Sequence, residues 1–173
     1  MTDTTTGTEN TNNSSTRHIL ARIIDTCQPR TLVVCGAMAE EIGQRWCQHH
    51  GESALTTLNP QAPNSAFPLP QTQDLALITD TLEHLSHEQG ELLLGQLRNY
   101  GTHQIAVISA DDGRWAFTDF IGLGFQRQAI VTEGGPSSNC TLYTYNIDSY
   151  NHKRKWNNPD NWANPEMWGK AWW

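Results

Sequence analysis

Three short runs of consecutive apolar residues constrain the fold of this chain more than any other feature. They occupy residues 31–35, 75–79 and 104–109, and the segments between them carry apolar residues mainly at helical spacing. A strand that is apolar at every position is typical of a sheet whose two faces are both covered. Apolar strands that alternate with amphipathic helices therefore predict an α/β fold on a mostly parallel sheet.

Further helices and strands follow from local signals. Residues 16–26 predict a first helix with Ser15 or Thr16 as its N-cap, and residues 53–58 predict another strand. The capping box that begins at Ser86 predicts the start of a helix after the second apolar run.

The pattern changes near the end of the chain. Two strand-like stretches, residues 125–133 and 140–146, flank a Gly/Pro/Ser turn at residues 134–138. Two such stretches around a turn predict an antiparallel hairpin, most simply at one edge of the sheet.

Two motifs give this pattern a family likeness. Residues 67–85 combine a Leu-Pro segment, an apolar strand led by Asp74 and a Leu-Glu-His-Leu turn, and Leu123-Gly-Phe125 precedes the hairpin. In these motifs the chain resembles a divergent member of the class I S-adenosylmethionine (SAM) methyltransferases. The resemblance covers residues 17–147. The resemblance implies a three-layer Rossmann-like methyltransferase fold, with a mostly parallel sheet and a C-terminal antiparallel hairpin. It also implies SAM as the cofactor.

The glycine loop of that family is degenerate in this chain. The family places an acidic residue at the end of the first strand and then a Gly-x-Gly-x-Gly loop. Here Val34 stands for the acid, Gly36 keeps the first glycine, and Met38 and Glu40 replace the other two. Glycines let a backbone approach the cofactor closely, and a helix N-terminus favours its carboxylate, so both replacements weaken this part of the site.

The second strand ends with another departure. The family carries an acid there for the ribose hydroxyls, and Asn59 takes its place; Asn64 or Ser65 is the nearest counterpart of the acid that faces adenine. An amide can bond a diol, but without the charge assistance of a carboxylate.

Ligands of open α/β sheets bind beyond the carboxyl ends of the strands. The expected cofactor contacts are therefore Gly36, Ala37, Asn59, Ser65, Thr79 and Asp80, with Ser109 on the same crevice. Asp80 is the candidate catalytic residue, although a cap or turn role is equally compatible with its position. Asp111 and Asp112 could face the crevice too, but a solvated Asp-Asp-Gly turn explains them better.

No metal site is predicted. His84 and His87 lie three residues apart, but Ser86 interrupts the helix between them and no third ligand is evident. The four cysteines form no C-x-x-C pair and are interpreted as reduced thiols.

The chain ends in a tryptophan-rich tail. A six-residue repeat, W-x-N-P-[DE]-x, begins at Trp156 and again at Trp162. Burying the five indoles of residues 156–173 gives at most about 25 kcal/mol, and ordering the 18 residues costs about 27 kcal/mol. The tail is thus expected to dock on a preformed surface, either its own domain or a protein partner. The tryptophans concerned are Trp156, Trp162, Trp168, Trp172 and Trp173.

Composition sets the domain limits and the cellular setting. Residues 1–15 are polar and predict a disordered tail, residues 16–147 the methyltransferase-like domain, and residues 148–173 the docking tail. The net charge of −7 argues against nucleic-acid binding, and no apolar run is long enough for a membrane span. We expect a cytoplasmic protein.

Two functions remain open from the sequence. One is a SAM-dependent methyltransferase acting on a small molecule or a protein side chain, with cofactor binding in question. The other is a non-catalytic binding or adaptor module of the same fold that uses the tryptophan-rich tail.

Overall fold

A computed structural model describes residues 9–100, 102–132 and 139–150. In these ranges the helices are α1 (Glu9–Cys27), α2 (Ala37–His49), α3 (His87–Asn99), α4 (Phe117–Gly122) and α5 (Ile147–Tyr150). The strands are β1 (Thr31–Cys35), β2 (Ala54–Leu58), β3 (Leu75–Ile78), β4 (Gln104–Ala110), β5 (Gln126–Thr132) and β6 (Asn139–Asn146). Short 3-10 helices occupy Pro63–Ala66 and Leu82–His84.

The strands form one mixed sheet in the order β2-β1-β3-β4-β6-β5. β1 pairs in parallel with β2 and β3, and β3 pairs in parallel with β4. β6 runs antiparallel to both β4 and β5, which confirms the predicted hairpin pairing at one edge. The predicted turn at residues 134–138 lies outside the described residues.

Helices cover both faces of this sheet. Successive residues of a strand point to opposite sides, so each buried strand packs against helices on both faces. On one face Val33, Ala76 and Val107 pack in a cluster with Leu93 of α3 and Phe120 of α4. On the other face Leu32, Leu77 and Ala106 pack with Leu20 of α1 and Ile42 of α2. The predicted three-layer α/β architecture is confirmed.

The strand that resembles the family motif is anchored at its start. Asp74 precedes β3, and its Oδ2 accepts hydrogen bonds from the backbone N–H groups of Arg30 at 2.9 Å and Thr31 at 3.0 Å. One carboxylate therefore ties the first residues of β1 to the first residue of β3.

α1 begins at Glu9, seven residues before the predicted start at Thr16. Thr16 is fully buried inside the helix and is not its N-cap. The structure assigns residues 9–15 to α1, where composition predicts a disordered tail, and residues 1–8 lie outside the described residues.

Two further features bear on the predictions. Ser86 caps α3 as predicted, since its Oγ accepts the N–H of Gln89 at 3.2 Å. None of the described helices is long and apolar enough to cross a bilayer. The tryptophan-rich repeat from Trp156 to the end of the chain lies outside the described residues.

Candidate functional site

The strand register brings the expected site residues to one edge of the sheet. Cys35 at the end of β1 pairs with Leu58 of β2 and with Ile78 of β3. The next residues along the chain are Gly36, Asn59 and Thr79. Neighbouring strands are about 4.8 Å apart, so these three backbones lie side by side across roughly 10 Å. We call this edge, where β1, β2, β3 and β4 end, the carboxyl edge.

The turn at Gly36 is held closely against the turn that follows β3. Gly36 has φ +103°, and a Cβ placed on it would lie only 1.6 Å from the carbonyl oxygen of Thr79. Only a glycine allows this approach, because any side chain would collide with backbone. The residue is buried, so it offers a ligand no exposed surface of its own.

Thr79 has its side chain directed into the fold. Its Oγ1 accepts the N–H of Ala39 in the first turn of α2 at 3.0 Å, and the side chain is buried. The hydroxyl of Thr81 donates to the Thr79 carbonyl at 2.7 Å and lies 3.3 Å from the Cys35 sulfur. The seam between β1 and β3 is thus closed by the protein's own polar groups.

Asp80 is an exposed residue of this edge. It lies directly after Thr79 and has φ +48°, in the left-handed region that side chains adopt at a cost. The cost is of order 1–2 kcal/mol, smaller for Asp than for bulkier residues, and such conformations cluster at functional sites.

The turn after β2 presents amide and hydroxyl groups. Asn59 is exposed, and its Oδ1 accepts the N–H of Gln61 at 3.0 Å. Ser65 is exposed and donates to the carbonyl of Ala62 at 2.7 Å. Asn64 donates to the Gln89 carbonyl at 3.0 Å, and its buried Oδ1 has no hydrogen-bond partner among the described residues.

The residues after β4 belong mainly to the fold. Ser109 is 4% exposed, so its side chain does not line an open crevice. The Asp111 carboxylate accepts the Thr141 hydroxyl at 2.9 Å and thereby joins β4 to β6. Asp112 accepts the N–H of Arg114 in the turn at Gly113, as the turn interpretation predicts.

A histidine–aspartate pair at the same edge did not follow from the sequence. His87 begins α3 and Asp119 lies in the first turn of α4; Nε2 and Oδ2 are 3.1 Å apart. The His87 ring stacks on Trp115 with centroids 4.5 Å apart. The two residues are 32 positions apart, and only the packing of the two helix starts brings them together.

This pair has a defined electrostatic state. The backbone N–H of Ala116 and then the His87 side chain lower the pKa of the Asp119 carboxyl below its usual value. The Asp119 carboxylate therefore stays ionised at neutral pH and orients the His87 imidazole.

The fold is that of the class I methyltransferases. The chain superposes on magnesium protoporphyrin IX methyltransferase from Synechocystis with bound S-adenosylhomocysteine (SAH), with TM-score 0.53, 9% identity, and 83% and 89% of the two chains covered. It superposes on the N-methyltransferase NodS from Bradyrhizobium japonicum, solved with SAH, with TM-score 0.54, 14% identity, and 78% and 87% covered. At these identities the likeness establishes the fold and not the activity.

Sequence comparison is a second, independent way to assign this chain to a family. No curated protein is similar enough in sequence to count as a relative. The model of one family does match, over residues 14–173, and so includes the tryptophan-rich tail. The chain belongs to the family of unknown function DUF6231.

Proposed function

We propose that this chain is a methyltransferase-like protein that binds SAM or SAH at the carboxyl edge. The observation that carries the proposal is Asp80, exposed in a left-handed conformation at the point where the crossovers from β1 and β3 diverge. Open α/β sheets bind their ligands at such a point. A strained residue there, held by a buried turn, is typical of a preorganised contact.

Three parts of SAM find suitable groups among the described residues. The Asp80 carboxylate suits the ammonium group, and the exposed amide of Asn59 suits the ribose hydroxyls. The Asn64 Oδ1, which lacks a donor, is the kind of acceptor that an adenine amino group needs.

The carboxylate of SAM fits less well. A helix N-terminus binds a carboxylate through its free N–H groups, and the N–H of Ala39 is already bonded to Thr79. The site thus loses one charge-assisted bond, to the cofactor carboxylate, and has the neutral amide of Asn59 where the family has an acid for the ribose. Together these two changes cost about 3 kcal/mol, or roughly a hundredfold in affinity. We therefore expect weak binding, with Ala37 contributing its backbone and Gly36 only shaping the turn.

When bound, SAM supplies an electrophilic methyl group on its sulfonium. The contribution of the chain is to position a nucleophile and to accept its proton. His87, oriented by Asp119, offers an imidazole nitrogen as the acceptor for that proton. This arrangement suits a substrate that reacts through an O–H or N–H group, either a small molecule or a protein side chain.

Calorimetric titration with SAM and SAH tests the proposal. We expect saturable binding of both, weakened at least about tenfold by Asp80→Asn because the charged partner of the ammonium is lost. Asp112→Asn is the matched control, since Asp112 is an exposed aspartate committed to its own turn, and it should leave affinity within about twofold. Absence of heat at millimolar ligand, with the chain folded, would contradict the proposal.

A second candidate is a non-catalytic module of the same fold. The bond between Thr79 and the Ala39 N–H favours it, because the group that would hold the cofactor carboxylate is used internally. Such a module would bind a protein partner through the tail. Capture of a partner that disappears when residues 151–173 are deleted, with SAM binding and turnover both absent, would favour this candidate.

A further inference from the structure

A groove lies at the end of the sheet opposite the carboxyl edge. Its volume is about 720 Å³, and it lies between α1 and the strands β4, β6 and β5. Ile19 and Ile23 of α1 form one side, Ala106 and Leu142 lie on the same sheet face, and Phe125 lies at one end. The first residue of β4 and the last of β6 also line it, so we call it the amino-edge groove.

The groove combines an apolar floor with amide and hydroxyl groups at its rim. Leu142 and Phe125 are buried beneath it, whereas Gln126 and Gln128 on β5 are exposed. Arg22 is the single charged residue among the described residues that line it. An indole ring has the matching chemistry, a flat apolar body with one N–H donor that seeks an acceptor.

The chain itself leads to this groove. β6 runs antiparallel to β4 and so delivers the chain to the amino edge, where the N–H of Ile147 donates to the His103 carbonyl at 3.0 Å. Two residues later Ser149 lines the groove. The last described residues of the chain therefore lie at the rim of the groove.

The residues that follow have a suitable composition. Residues 151–173 contain five tryptophans, and four Lys and Arg against two Asp and Glu, a formal charge of +2. The preceding 150 residues carry −9, so long-range attraction favours association of the tail with the domain as a whole. The groove itself is favoured by its apolar floor and by the position of Ser149, since its one charged lining residue is Arg22. The match to the family model extends through Trp173 and so includes the tail.

We propose that residues 151–173 dock in the amino-edge groove of their own chain, with tail tryptophans against Ile19, Ile23 and Leu142. This surface is independent of SAM binding and of any turnover at the carboxyl edge. It assigns the tail to the side of the domain away from the candidate site.

Photo-cross-linking in the intact chain tests this proposal. Gln126, exposed on the rim, is replaced by p-benzoylphenylalanine, and Leu92, which is 51% exposed on α3, is replaced in the control. We expect the probe at 126 to join a peptide from residues 151–173 within one chain, and the probe at 92 to give no such product. A cross-linked dimer, a product with residues 1–8, or equal yields from the two sites would overturn the proposal.

A second measurement uses the tail tryptophans directly. Ile23→Asp places a charge in the groove wall, and Ile130→Asp places one at a 59% exposed position facing the other side of the sheet. With circular dichroism used to select folded variants, quenching of tryptophan fluorescence by acrylamide should rise for the first variant and stay at the wild-type level for the second. Equal quenching in all three chains would also overturn the proposal.

Discussion

Replacing Gly36 by alanine separates a structural role of this glycine from a role in cofactor binding. Gly36 has φ +103°, and its added Cβ would lie 1.6 Å from the Thr79 carbonyl oxygen. Backbone atoms cannot move aside as a flexible side chain can. The turn at Gly36 and the turn at Thr79 must therefore separate.

The expected cost follows from what that separation breaks. The left-handed conformation costs alanine about 1–2 kcal/mol. The bond from the Thr79 N–H to the Cys35 carbonyl, 2.9 Å long, contributes about 1 kcal/mol. Leaving the buried N–H of Ala39 without Thr79 Oγ1 costs about 1–3 kcal/mol. The free energy of unfolding should fall by about 3–6 kcal/mol, which corresponds to a drop in Tm of roughly 10 °C or more.

Urea unfolding followed by circular dichroism measures this loss. The matched control is Gly95→Ala in α3, where nothing lies within 4 Å of the added Cβ, so stability should rise by about 0.5–1 kcal/mol. If Gly36→Ala unfolds within about 1 kcal/mol of the wild type, the packing argument is refuted. Weakened SAM binding in such a stable variant would instead assign the glycine to the ligand.

Three further predictions concern charge and thiol chemistry. Because the pKa of Asp119 is lowered in the folded chain, the ionised carboxylate stabilises the fold above about pH 4, and this stabilisation is lost below that pH. The variant Asp119→Asn should therefore show a weaker dependence of the free energy of unfolding on pH in the acid range. Burial raises the pKa of the Cys35 thiol, so Ellman's reagent should modify Cys35 at pH 8 only after unfolding. Asp74→Ala should cost about 2–3 kcal/mol, because two backbone N–H groups at the start of β1 lose their acceptor.

Each of these has a control and an outcome that contradicts it. If Asp119→Asn leaves the acid profile unchanged, neither the Ala116 N–H nor His87 lowers the pKa of the Asp119 carboxyl in solution. If a thiol reacts rapidly in the native wild-type chain and is missing from the Cys35→Ala variant, Cys35 is accessible and the burial argument is wrong. Asp74→Asn retains an acceptor oxygen and should lose less than Asp74→Ala; equal losses would assign the effect to charge alone.

Local patterns in the sequence were sufficient for most of the fold. The apolar runs become β1, β3 and β4, whose central residues are buried on both faces, since no other element satisfies such a run. The Ser86 cap forms because its partner Gln89 is three residues away. The start of α1 was misplaced, because a polar composition lowers helix propensity without forbidding a helix.

The site was accessible to sequence reasoning only in part. Gly36, Asn59 and Asp80 share one edge because the strands that they follow run parallel, which the alternation of elements predicts. The inward direction of Thr79 and the pairing of His87 with Asp119 depend on contacts between residues 40 and 32 positions apart. Such contacts are fixed by helix packing, for which no short motif gives a signal.

The short outer strand β2 also limits how copies of this chain can associate. Among the described strands, β2 has a neighbour on one side only, so its other side offers unpaired backbone groups. It is five residues long, and a parallel edge directs the N–H and C=O groups of alternate residues outward. An incoming strand would meet only about two or three outward-facing residues there, about four to six main-chain hydrogen bonds at most, and such short edge strands are one of the ways in which native sheets avoid pairing with other chains. Concentrated solutions of the protein should therefore resist edge-to-edge aggregation at this strand.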